Sequence, residues 1–186
     1  MTRAGFVAVI GAPNAGKSTL VNALVGQKVA IVSAKAQTTR VRLMGIAIHD
    51  STQILLVDTP GIFEPRRRLD RAMVAAAWSG AEDADLILLV VDSAAGLTRE
   101  VERAISGLEK RANPLFIALN KVDLVRKDKL LGLSAELTAR LEPERVFMIS
   151  AAQGDGVPDL KQALAEAMQE GPWLYPEDEV SDATDR

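Results

Sequence analysis

Gly11-Ala12-Pro13-Asn14-Ala15-Gly16-Lys17-Ser18 follows the apolar run Phe6 to Ile10 and opens Lys17 to Val25, where apolar residues recur at three- and four-residue spacings. The octet has the form G-x-x-x-x-G-K-[ST], and it lies between a strand and a helix, the context in which that pattern makes a P-loop. Its glycines let successive backbone N–H groups turn inward around phosphate oxygens, and the helix N-terminus adds partial positive charge. Lys17 would bridge phosphate oxygens and Ser18 would offer its hydroxyl to Mg²⁺. The cradle is therefore read as Gly11, Pro13, Asn14, Ala15, Gly16, Lys17, Ser18 and Thr19.

Outward from this loop, short runs rich in Val, Ile and Leu recur at Ile54 to Val57, Leu86 to Val91, Leu115 to Leu119 and Val146 to Ile149. Between them Leu69 to Ser79, Arg99 to Lys110, Lys129 to Leu141 and Val157 to Met168 carry helical periodicity. Continuous apolar runs alternating with amphipathic helices describe a parallel sheet covered on both faces. Arg42 to His49 differs, because Leu43, Gly45, Ala47 and His49 alternate with Met44, Ile46 and Ile48. A period of two suits an edge strand, antiparallel to its neighbour through a turn at Asp50 to Gln53. The fold class is α/β, a P-loop NTPase built as a three-layer sandwich with a mostly parallel sheet and one antiparallel edge strand.

Composition narrows the chemistry. The chain has 186 residues, 48% hydrophobic and 25% charged, as in one globular domain. It contains no cysteine and one histidine, His49, so disulfides and thiolate or histidine metal centres are excluded and a metal must use oxygen ligands. A net charge of −3 argues against nucleic-acid binding by bulk electrostatics. The dense basic run Arg66-Arg67-Arg68 is either a solvated loop or a local contact for RNA or a partner domain. Gly11 and Pro13 interrupt the first apolar run before it reaches signal-peptide length, and the longest run, Leu86 to Val91, is far too short to span a bilayer, so a cytoplasmic location is expected.

Three further motifs sit at strand ends. Asp58-Thr59-Pro60-Gly61 follows Ile54 to Val57, which places Asp58 to reach Mg²⁺ through a water and the Gly61 N–H to reach a γ-phosphate. Asn120-Lys121-Val122-Asp123 follows Leu115 to Leu119 and decides the base. A carboxylate at Asp123 accepts from both N1–H and the exocyclic amine of guanine, a pair adenine lacks, and mispairing would leave it unsatisfied at a cost of ~1–3 kcal/mol or more. Asn120 can bond the base and tie back to the P-loop, while the aliphatic stem of Lys121 covers the nucleoside. Ser150-Ala151-Ala152 completes the pocket, with the Ala151 N–H facing guanine O6. Between the first helix and the edge strand, Thr38 and Thr39 are both candidates to close on Mg²⁺ and the γ-phosphate when GTP is bound.

These elements in this order, with Gln37-Thr38-Thr39-Arg40 as the second and Asp58-Thr59-Pro60-Gly61 as the third, resemble the G domain of Era-type bacterial GTPases. Pro13-Asn14, Gly26-Gln27-Lys28-Val29 and Pro176-Glu177-Asp178 extend the likeness over nearly the whole chain. The resemblance implies a Ras-like G domain with a six-stranded sheet and GTP hydrolysis with Mg²⁺ held by Ser18, Thr39 and Asp58. It also implies a role in small ribosomal subunit (16S rRNA) assembly through a C-terminal KH domain. Residues 1–170 correspond to the G domain and 171–186 to a linker toward a KH domain that this chain does not reach, so a monomeric G-domain fragment is expected. Peripheral contact with the inner membrane is an expectation for the full-length family. Where many relatives carry a water-orienting glutamine this chain has Ile62, so slow intrinsic hydrolysis is expected, with Lys17, Asn14 and Thr39 as the catalytic set and K⁺ near Asn14 supplying charge. Rival readings are a related GTPase of tRNA modification or large-subunit assembly, and a GTP-gated binding module with negligible turnover.

Overall fold

The computed structural model describes residues 1–26, 42–59, 62 and 71–176. Strand β1 (Arg3–Gly11) leads into helix α1 (Lys17–Val25); β2 (Arg42–His49) and β3 (Thr52–Asp58) form a hairpin. Then come α2 (Arg71–Glu82), β4 (Leu86–Asp92), α3 (Arg99–Leu108), β5 (Leu115–Asn120), α4 (Lys127–Leu141), β6 (Arg145–Met148) and α5 (Val157–Ala167). The sheet runs β2-β3-β1-β4-β5-β6, parallel throughout except for β2 against β3. A two-residue strand, β7 (Gln169–Glu170), is added antiparallel to the start of β1, which the sequence pattern does not anticipate.

Because side chains alternate along each strand, the continuous apolar runs feed two cores. Val7, Val9, Leu86, Leu88 and Val90 pack under α1 and α5 with Leu20, Leu24, Leu160 and Leu164. Their neighbours Ala8, Ile10, Ile87, Leu89 and Val91 face the other layer, with Ala81, Ile105, Leu108, Leu133 and Leu137 of α2, α3 and α4. Each such leucine, isoleucine or valine contributes ~1.5–3 kcal/mol by leaving water. Two layers of helices over one sheet are the architecture expected from the sequence.

The edge strand departs from strict alternation. Between Leu43, opposite Val57, and Gly45, opposite Leu56, the register slips by one residue, so Met44 is the extra residue of a β-bulge. An inserted residue reverses the alternation beyond it. Leu43 therefore packs on the side of Ile46 and Ile48, not with Gly45, Ala47 and His49 as simple alternation predicts.

The segment after β7, read from sequence as a tail, is tied to the sheet as far as Tyr175. The Gly171 N–H donates to the Thr2 carbonyl at 3.1 Å and the Trp173 indole N–H to Ser51 O at 2.9 Å. Gln53 is completely buried. Its Nε2 donates to Tyr175 O at 2.9 Å, and its Oε1 accepts from the N–H groups of Leu174 and Tyr175 at 3.0 and 3.1 Å. Tyr175 then covers Ile46 and Leu55 on the outer face of the hairpin. Among the described residues no helix is long and apolar enough to cross a membrane.

β1 lies between β3 and β4, so successive connections leave it in opposite directions and a crevice opens at the carboxyl ends of the strands. Ligands of open α/β sheets bind at such a point. The P-loop, Asp58, Asp92 and Asn120 all stand there, at the ends of β1, β3, β4 and β5.

Candidate functional site

The P-loop reaches α1 through two left-handed residues, Asn14 (φ 72°) and Gly16 (φ 94°). Gly16 is the N-cap, and neither it nor an acidic residue of the first turn supplies a side-chain cap. The N–H groups that open a helix have no intrahelical acceptor, so an uncapped start beside a glycine loop suits an anion. Lys17, Ser18 and Thr19 lie in that first turn, with Ser18 and Thr19 exposed, while Gly11 and Ala15 are buried beneath the loop.

Lys17 Nζ stands 2.6 Å from Asp58 Oδ1, and the guanidinium of Arg42 approaches Asp58 Oδ2 at 3.4 Å. Asp58 is only 6% exposed. The cation read from sequence as phosphate-binding and a carboxylate suited to a metal's water ligand thus converge beside the Ser18 turn. Among the described residues no group of three or more His, Cys, Asp or Glu could hold a metal unaided. A hydroxyl plus one carboxylate fits Mg²⁺, which commonly takes its other oxygens from phosphates and water.

The elements read from sequence as base-selecting are built onto the P-loop. Asn120, 3% exposed, donates from Nδ2 to the Ala15 carbonyl at 2.8 Å and accepts the Ala151 N–H on Oδ1 at 3.0 Å. One amide therefore joins the P-loop to the loop after β6. The Ala151 N–H, assigned from sequence to guanine O6, is bonded here to Asn120, as a buried N–H must find an acceptor. Ser150 is buried; its carbonyl accepts the Gly154 N–H at 2.8 Å and its N–H donates to Asp155 O at 2.9 Å, which turns the loop. Ala152 and Asp123 are exposed, and Gln153 Nε2 lies 3.4 Å from Asp123 Oδ2, a contact not anticipated. Asp123 sits in a single 3₁₀ turn, Val122–Leu124.

Lys121, itself left-handed (φ 64°), donates from Nζ to the Asn14 carbonyl at 2.6 Å and to Asp92 Oδ2 at 2.9 Å. Asp92 also accepts the N–H groups of Ala94 and Ala95 on Oδ1. Burial pushes its carboxyl up, but the Lys121 hydrogen bond, the two N–H groups and the Lys121 charge outweigh that and hold it below the usual aspartate value. Sequence reasoning missed Asp92 and Arg42. For Asp92 the signal was present: it is the carboxylate immediately after the run Leu86 to Val91, as Asp58 follows Ile54 to Val57.

Ile62, expected where other proteins place a glutamine, packs its side chain against the α2–α4 core. Pro13 and Asn14 are exposed on the loop. Thr38, Thr39, Gly61 and the Arg66-Arg67-Arg68 run lie outside the described residues, so their assignments stand on sequence.

Comparison with known proteins gives this geometry relatives. Residues 6–121 match the protein family described as 50S ribosome-binding GTPase. GTPase Era of Afipia carboxidovorans is 58% identical over 182 residues, 98% of this chain and 59% of that protein. GTPase Era of Rhizobium meliloti is 59% identical over 181 residues, 97% of this chain and 58% of that protein. A crystal structure of Era in complex with MgGDPNP and nucleotides 1506–1542 of 16S ribosomal RNA superposes with a TM-score of 0.78 at 36% identity, covering 96% of this chain and 61% of that one. The chain thus spans about three fifths of the length of these relatives.

Proposed function

This chain belongs to the 50S ribosome-binding GTPase family, is of Era type over nearly its whole length, and on that premise we propose that it binds GTP and GDP in the crevice at the P-loop and hydrolyses GTP. The observation that carries the reading is the Asn120 amide, which ties the Ala15 carbonyl of the phosphate loop to the Ala151 N–H of the base-selecting loop. A phosphate site alone would accept any nucleotide. Joining the phosphate loop to the loop that carries Gln153, which lies beside the exposed Asp123, lets that carboxylate make recognition depend on guanine.

The residues divide the work. The backbone N–H groups of the loop and the first turn of α1 surround the β- and γ-phosphates, and Lys17, now 2.6 Å from Asp58, spreads positive charge over their oxygens. Ser18, Asp58 and, from sequence, Thr39 would hold Mg²⁺, which when bound neutralises charge between the phosphates. Thr38 and the Gly61 N–H complete the γ-phosphate contacts in this reading. Asp123 accepts from N1–H and the amine of guanine, the Lys121 stem covers the base, and the Ala151 N–H, held in place by Asn120, is the donor read from sequence for guanine O6. Ile62, held by its apolar contacts, cannot orient water, so intrinsic turnover is slow and Asn14 recruits K⁺ to stabilise developing charge. Slow multiple-turnover phosphate release distinguishes this GTPase from a binding module without turnover.

Supported by the likeness to Era in complex with nucleotides 1506–1542 of 16S ribosomal RNA, the reading extends to the longer protein to which this G domain corresponds, which would bind that rRNA and assist assembly of the small ribosomal subunit. Residues 1–170 would be the nucleotide-binding unit and 171–186 the lead into the remainder. The G domain would be a cytoplasmic monomer, checked by size-exclusion chromatography; inner-membrane contact belongs to the longer protein and is checked by sedimentation with inner-membrane vesicles.

Calorimetric titration with GDP and, separately, ADP in Mg²⁺ buffer tests the central claim, with Asp123→Ala as control. GDP heat without ADP heat, lost in the variant, is expected. Equal response to both nucleotides, or to neither, overturns the guanine reading.

A further inference from the structure

Asp92 closes β4 directly opposite Asn120 in the β4–β5 register, and its two carboxylate oxygens do different work. Oδ1 accepts the N–H groups of Ala94 and Ala95 at 2.9 and 3.1 Å, which fixes the turn after the strand. Oδ2 holds the Lys121 ammonium at 2.9 Å, and that ammonium donates onward to the Asn14 carbonyl at 2.6 Å.

The P-loop is thus gripped at two successive carbonyls, Ala15 O by Asn120 and Asn14 O by Lys121. The grips are unequal. Asn120 is buried and its amide is fixed at both ends. Lys121 is a long side chain, 31% exposed, with many rotamers to lose. It nonetheless reaches the carbonyl of Asn14, a residue in the left-handed conformation that asparagine tolerates better than most L-amino acids. An ionised partner on the far side of the ammonium selects the one rotamer that reaches Asn14.

We infer that Asp92 is a positioning residue for the nucleotide site: it aims Lys121 at the Asn14 carbonyl and so keeps the P-loop in its phosphate-binding shape. This rests on the guanine-nucleotide reading above. Asp92 touches neither phosphate nor base; it acts through Lys121.

Asp92→Asn separates its two tasks. The amide oxygen can still cap Ala94 and Ala95, while the amide nitrogen then faces the ammonium, donor against donor. Four proteins are compared: the unaltered chain, Asp92→Asn, Lys121→Met and the double variant. GDP affinity is measured by calorimetry, and hydrogen exchange of the peptide spanning residues 11–18 is measured without nucleotide. Asp92→Asn is expected to weaken GDP binding about tenfold, as for loss of one charge-assisted contact, and to speed exchange in the loop. In the Lys121→Met background it should change neither. An Asp92→Asn effect of equal size in both backgrounds, or none in either, overturns the inference. If the unaltered chain binds no GDP, the nucleotide reading fails, and the exchange comparison alone still decides whether Asp92 orders the loop through Lys121.

Discussion

A methyl group added at Gly16 should do more damage than the same group at Gly154, and the difference measures how closely Asn120 is fitted to the P-loop. Both glycines are left-handed, at φ 94° and 86°, so an alanine at either pays the same backbone strain, ~1–2 kcal/mol. At Gly154 the new Cβ meets nothing within 4 Å, whereas at Gly16 it collides with the Asn120 amide nitrogen. Asn120 must then move and lose its bonds to Ala15 O and Ala151 N–H, each ~0.5–1.5 kcal/mol. Gly16→Ala should therefore cost about 2–5 kcal/mol in all. The strain cancels between the two variants and leaves about 1–3 kcal/mol, so at about 2–4 °C per kcal/mol for a domain of this size it should melt roughly 2–12 °C below Gly154→Ala. Thermal unfolding followed by circular dichroism reads the difference, and calorimetry should show GDP binding impaired only in Gly16→Ala. Equal melting temperatures for the two variants, with equal GDP affinity, would refute the claim that one buried amide couples the two loops.

Gln53→Leu strands the N–H groups of Leu174 and Tyr175 and the Tyr175 carbonyl, so urea unfolding should show a loss of about 2–3 kcal/mol. Trp173 emission should shift as its bond to Ser51 is released; a cost under about 0.5 kcal/mol with unchanged emission would count against the strap. Asp92 ionises below its ordinary value of 3.8, so its stabilisation is complete above that pH and is lost as pH falls through the lower folded value. The stability advantage over Asp92→Asn should accordingly be flat from neutrality down to about pH 5 and shrink below the ordinary value; an advantage growing on acidification would contradict the sign. GTP hydrolysis should be faster in K⁺ than in Na⁺, with the difference abolished by Asn14→Ala; equal rates in the two salts would retire the cation role.

The sheet, its helices and the strand ends that carry the candidate site could be read in the sequence because each depended on local pattern. The span Lys17–Val25 emerged at both ends because the P-loop fixes where the helix starts and periodicity carries it to Val25. Asn120 was found for the same reason, standing where a buried strand ends. The misses depended on contacts across the fold. The bulge at Met44 is invisible in a stretch that alternates well either way, and only pairing with β3 selects one register. Asp92 acquires its role from Lys121, twenty-nine residues further on. Gly171-Pro172-Trp173 reads as a helix break, which it is, but the strap it begins depends on Gln53. An amide at the edge of the run Ile54 to Val57 was the available signal, since a buried side chain of that kind requires partners.

Considered mechanically, the strap gives the domain a handle. Thr2 and Gly171 exchange two hydrogen bonds, β7 pairs with Arg3 and Ala4, and Gln53 grips Leu174 and Tyr175. Tension on the chain beyond Tyr175 would therefore load the first residues of β1 and β3 before it reached any helix. The opposite ends of these two strands carry Gly11 and Asp58, roughly 27 Å away along the nine-residue β1 and roughly 20 Å along the seven-residue β3. The point of traction and the phosphate crevice are the two ends of the same pair of stiff rods.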